Sequence, residues 1–144
     1  MVGTDTVLHD LGLSNTFGTA ELDVHLGGGG DASFVFDGRV SAGTVPVRVA
    51  RGDDVLGGEP VIDLMKIDVE GYELHVLEGL PQTLSRTRCL SIEISLDRPK
   101  DHAFHEVAAV LAQHRFELLA AGPPHAGDGA VQAAVDLHFR RDGA

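Results

Sequence analysis

The stretch DLMKIDVEGYELHVLEGL, Asp63–Leu80, changes its hydrophobic period part-way along. With Val61 and Ile62 before it, apolar residues fall at 61, 62, 64, 65, 67 and 69, too dense for a strand with one wet face. Such density matches a parallel strand covered on both sides. Asp63 and Lys66 interrupt the run, so its burial is incomplete. After Gly71 the apolar positions become Leu74, Val76, Leu77 and Leu80, a helical spacing with Glu73 and Glu78 among them. RCLSIEIS then alternates Leu90, Ile92 and Ile94 against Ser91, Glu93 and Ser95, which is the period of a strand. Strand, helix, strand is the pattern of a parallel crossover.

On the carboxyl-terminal side a second unit follows. Asp101 is placed to cap a helix whose apolar residues Phe104, Val107, Ala108 and Leu111 fall on one face. Phe116, Leu118 and Leu119 mark a strand, GPPHAGDG is turn material, and Val135, Leu137 and Phe139 alternate in a final strand that returns antiparallel. On the amino-terminal side, short alternating pieces predict half-buried strands: Ala20, Leu22, Val24 and Leu26, then Phe34 and Phe36, then Val45, Val47 and Val49. Gly27 to Gly30 form a hairpin loop between the first two, and Pro46 suits an edge strand, where its missing N–H is not needed.

Composition narrows the function. The 144 residues carry 11 basic against 22 acidic side chains, a formal net charge of -11, which disfavours nucleic acid and anionic membrane surfaces as partners. One cysteine, Cys89, allows no intrachain disulfide and is read as a core residue. No segment approaches the ~18 apolar residues of a membrane span and no targeting leader is visible, so the expected location is the cytoplasm.

In open α/β sheets the ligand crevice lies beyond the carboxyl ends of parallel strands. Asp68, Glu70 and Glu93 stand at such ends. Residues two apart on an extended strand share a face, so Asp68 and Glu70 project together toward a hydroxyl, an amine or a metal before Gly71 turns the chain into the helix. A purely structural role is the alternative, because a carboxylate near a helix amino terminus is stabilising by about 0.3–1 kcal/mol. His102 and His105, three apart on a helix, read as surface or cap decoration rather than as metal ligands. Asp68 and its carboxylate neighbours are a better donor set for a divalent ion, but such a site needs about six oxygens. No metal is assigned, and no G-x-S-x-G hydrolase motif is present.

KIDVEGYELHVLEGL followed by LSIEIS resembles the core signature of the FkbM-type methyltransferases, whose pattern is close to LLKIDVEGyElevLkGa and then a strand ending in Glu. GLSNTFGTAELDVH, Gly12–His25, is similar to the segment that follows the third strand in that family, and RVARGDDVL resembles its "tlDdll" element. The resemblance runs from about Leu8 to Leu119.

The resemblance implies an α/β, Rossmann-like class I methyltransferase fold with a mostly parallel sheet and an antiparallel last strand. It implies S-adenosyl-L-methionine as cofactor and methylation of a hydroxyl on a sugar or secondary metabolite. Asp68 is then the candidate general base or the residue that positions cofactor and acceptor. Glu70 and Glu93 are second catalytic candidates, and Asn15 lies where the family approaches the adenine. The glycine-rich turn and the acidic strand end that open such a domain do not precede GLSN. The expectation is therefore one incomplete domain over 1–144 without the first two βα units: a strand and hairpin region over 1–60 and a βαβαβ core over 61–144. A sheet shortened in this way exposes an apolar edge, through which self-association is expected. The alternative is a non-catalytic remnant that binds a partner.

Overall fold

The computed structural model describes residues 6–25, 32–34, 41–58, 60–96, 102–126 and 133–143. In chain order the elements are β1 (Gly12–Ser14), β2 (Gly18–His25), β3 (Ala32–Ser33), β4 (Ser41–Arg51), α1 (Gly52–Val55), β5 (Ile62–Ile67), α2 (Glu73–Glu78), α3 (Pro81–Ser85), β6 (Thr87–Ser95), α4 (Phe104–Gln113), β7 (Phe116–Ala121), β8 (His125–Ala126) and β9 (Ala133–Arg141). Two sheets result, one in the order β1-β4-β2-β3 and one in the order β5-β6-β9-β7 with β8 on β9.

The expected mostly parallel, Rossmann-like sheet does not form. Parallel pairing is confined to β5 with β6 and β1 with β4, and every other described pair is antiparallel. The cause lies in the connections. Only a helical crossover of a dozen or more residues lets neighbouring strands run the same way. Asp68 to Arg86 is such a crossover and makes β5 and β6 parallel. The crossover through α4 brings β7 back in the same sense, but β9 inserts between β6 and β7 and pairs antiparallel with both.

The helical side of the larger sheet holds the core. Leu90, Ile92 and Ile94 of β6 and Leu137 and Phe139 of β9 meet Val76 and Leu77 of α2, Leu84 of α3 and Val107 and Leu111 of α4. Burying each such side chain stabilises the fold by about 1.5–3 kcal/mol. The opposite face of β5 is open: Leu64 is 66% exposed, so β5 is covered on one side and not on two as its density suggested. Its partner Cys89 is half-buried on that same face, not in the core.

In the smaller sheet, β1 reaches only residues 49–51 of β4, so Pro46 pairs with Glu21 on one side alone, as its missing N–H requires. Ala20, Leu22 and Val24 are half-buried. The glycine run 27–30 and Asp101 lie outside the described residues; α4 has Ala103 at its N-cap, whose N–H donates to the Glu106 carboxylate at 2.7 Å.

Asp53 of α1 caps α3. Its carboxylate accepts the Gln82 N–H at 2.9 Å and the Thr83 N–H at 2.8 Å. Burial works to raise the Asp53 carboxyl, but the bonds from Gln82 and Thr83 and the Arg51 charge outweigh it, so the group titrates below its usual value. A carboxyl depressed in the folded state adds stability above its unfolded pKa, and that contribution disappears as pH falls through the folded value. Asp53→Ala should cost about 1 kcal/mol at neutral pH in urea unfolding. The difference from the parent should shrink below about pH 4, near the ordinary carboxylate range; a pH-independent difference would show that the cap is not electrostatic.

Candidate functional site

The parallel register Ile67↔Ile92 sets the carboxyl ends of β5 and β6 side by side, which carries Asp68 to the position beside Glu93. The chain then turns sharply, with φ of 53° at Glu70 and 98° at Gly71. Both angles are left-handed, easy for glycine and costly for glutamate. The turn swings Glu70 back, so ligand oxygens of Asp68, Glu70 and Glu93 all lie within 4.8 Å of one another. The three predicted carboxylates thus converge, but the turn brings Glu70 in and not the alternation of an extended strand.

Lys66 faces this cluster. Its ammonium lies 2.5 Å from Asp136 on β9 and 3.8 Å from Asp68. Burial works to lower the Lys66 pKa, but the hydrogen bond and charge of Asp136, with the charges of Asp68 and Glu93, outweigh it and raise the group above its usual value. Lys66 therefore remains charged and offsets part of the negative field. What remains suits a ligand bearing positive charge or hydroxyl donors. A divalent ion could take these three carboxylates as part of an oxygen shell, which demands about six ligands.

Asn15 occupies a different place. It follows β1, and its Nδ2 donates to Glu78 Oε2 at 2.7 Å. Glu78 ends α2 whereas the carboxylate turn precedes it, so the six-residue helix, about 9 Å long, separates the two. Between them, the Tyr72 ring stacks on His75 with centroids 4.3 Å apart and meets Phe34 at 5.1 Å. The Tyr72 hydroxyl lies 3.1 Å from Ser14 Oγ.

Sequence reasoning missed one pair. Glu73, 1% exposed, places Oε2 3.1 Å from His102 Nε2, and His102 is 6% exposed. His102 is thus buried and is not surface decoration, whereas His105 is exposed. A signal was available: Glu73 precedes Val76, Leu77 and Leu80 at i, i+3, i+4 and i+7, which puts a carboxylate on the apolar stripe of the helix.

The model of the Methyltransferase FkbM domain matches residues 2–118. The chain belongs to the FkbM methyltransferase family. No curated protein and no solved structure matches it. The match spans the DVEG turn, Asn15, Asp68, Glu70, Glu93 and the Glu73–His102 pair, and it stops before β9. Membership of the FkbM family suggests a methyltransferase and, in general, use of S-adenosylmethionine. Among the described residues no helix is long and apolar enough to cross a membrane.

Proposed function

We propose that this FkbM-family chain is an S-adenosylmethionine-dependent O-methyltransferase acting on a hydroxyl of a sugar or secondary metabolite. The observation that carries the reading is the convergence of Asp68, Glu70 and Glu93 at the carboxyl ends of a parallel strand pair. The donor set fits the cofactor: carboxylates accept from ribose hydroxyls or an amine and offset a sulfonium charge. Bound S-adenosylmethionine supplies a methyl group on positively charged sulfur.

The chain's own task is to orient the acceptor and to take its proton. Asp68, the most exposed of the three carboxylates, would accept the hydroxyl proton as the methyl group leaves the sulfonium sulfur, its C–S bond breaking while the O–C bond forms and S-adenosylhomocysteine is released. Glu70 and Glu93 hold neighbouring hydroxyls of the acceptor or cofactor. An ordinary carboxylate is a weak base toward an alcohol, so the proton leaves late, when the oxygen has become acidic. Asn15, whose amide is engaged by Glu78, contributes on the adenine side through the loop it anchors.

Isothermal titration of S-adenosylmethionine and S-adenosylhomocysteine into the folded chain tests this directly. Saturable micromolar binding of both is expected. No binding by a chain that circular dichroism shows to be folded would leave a non-catalytic family member that acts by binding another partner.

A further inference from the structure

The peptide unit between Glu70 and Gly71 is held at both ends. Its carbonyl accepts the Ser33 hydroxyl at 2.9 Å, and its N–H donates to Glu73 Oε1 at 2.8 Å. The other Glu73 oxygen lies 3.1 Å from His102 Nε2. Ser33 is 1% exposed, Glu73 1% and His102 6%, so bulk water does not readily replace any of these partners. Ser33 of β3 and Glu73 at the start of α2 therefore meet on one peptide, and His102 backs Glu73 from behind.

That peptide lies at the centre of the left-handed turn that brings Glu70 in. Rotating its plane changes ψ of residue 70 and φ of residue 71 but leaves φ of residue 70 left-handed, so Glu70 relaxes only if the whole turn, with the Val69–Glu70 peptide, rearranges. Left-handed geometry at a non-glycine residue persists only where the surroundings over-determine it. Here any rearrangement of the turn breaks the bond to Ser33 and the bond to Glu73 at once. Buried polar pairs are also a weak route to stability compared with apolar packing, and fixing one arrangement is a role they are better suited to.

We propose that Glu73, oriented by His102 and assisted by Ser33, is a positioning residue that locks the Glu70–Gly71 peptide and so aims the Glu70 carboxylate at Asp68 and Glu93. The inference rests on the reading of that cluster as the working site. The clamp itself is tested without cofactor or acceptor.

The test is amide hydrogen exchange by NMR on the full chain, together with backbone couplings that report the sign of φ at Glu70. In His102→Ala, Gly71 should exchange about 100-fold faster, as a local opening does, while Ile92 and Leu137 in the core change less than about threefold. The Glu70 couplings should move toward negative φ. His102→Gln restores an N–H donor and should return Gly71 to within about threefold of the parent. Ser33→Ala, which leaves the Glu73–His102 pair intact, should release Gly71 about tenfold and decides the matter if His102→Ala does not fold. Gly71 protection unchanged in these variants, or lost only in step with Ile92 and Leu137, would overturn the clamp. A chain that shows the clamp yet binds no S-adenosylmethionine would retire the methyltransferase reading alone; one that binds it with Gly71 unaffected would retire the clamp alone.

Discussion

Asp68→Asn is expected to slow methyl transfer by about 10²–10⁴-fold, the range that a positioned general base contributes. Asparagine keeps the shape and the hydrogen-bonding oxygen but cannot take a proton, and it removes one negative charge beside Lys66. Lys66 keeps its bond to Asp136, so the strand ends should stay in place. The affinity for S-adenosylhomocysteine should therefore change less than about threefold, which separates loss of a base from loss of a cofactor contact. Turnover near that of the parent would remove Asp68 from the chemistry. A parallel collapse of affinity and turnover would make it a cofactor ligand instead. Glu70→Gln and Glu93→Gln should each cost less, about tenfold, because they leave the proton acceptor in place.

Gly79→Ala should cost substantial stability although it adds a single carbon. Gly79 has φ of -83° and ψ of -2°, values that alanine adopts freely, so backbone strain is not the obstacle. Space is. A Cβ there would lie 2.0 Å from the Ser14 carbonyl oxygen and 2.9 Å from its carbon. Those atoms belong to β1, which is hydrogen-bonded to β4 and tied to Tyr72 through Ser14 Oγ. Either β1 leaves the sheet or α2 lifts from the core, at a cost of about 2–3 kcal/mol. Gly58→Ala, with nothing near its added carbon, is the control and should shift stability by less than about 0.5 kcal/mol. Equal urea midpoints for the two variants would mean that β1 does not rest against the end of α2.

The crossover from β5 to β6 was legible because its signals are local. A period that shifts at Gly71 and returns to alternation at Leu90 needs only neighbours to interpret, and the family motif falls in the same window. The meeting of Asp68 and Glu93 was legible for the same reason, since the carboxyl ends of adjacent parallel strands lie side by side, whereas Glu70 is brought in by a left-handed turn that the alternation did not show. Strand order was not. Nothing local in Val135, Leu137 and Phe139 distinguishes a strand at an edge from one wedged between β6 and β7, and that insertion is what makes the sheet mainly antiparallel. The density of apolar residues from Val61 to Val69 overstated coverage, because it reports how apolar a strand is and not whether a layer lies on each side of it. Glu73 and His102 stayed hidden because their pairing crosses many residues, although a carboxylate on an apolar stripe already asked for a partner.

The position of β9 also has a consequence for synthesis. A chain emerging from the ribosome delivers β5, β6 and β7 before β9, yet β6 and β7 are not hydrogen-bonded neighbours; each waits for β9. Until residues 133–141 emerge, β6 can pair only with β5, and its other edge, from Cys89 to Ser95, stays available to any passing strand. The nascent chain is then at its most adhesive in the interval between the emergence of β6 and that of β9. A chaperone that shields β6 during that interval would protect the very edge on which Glu93 sits.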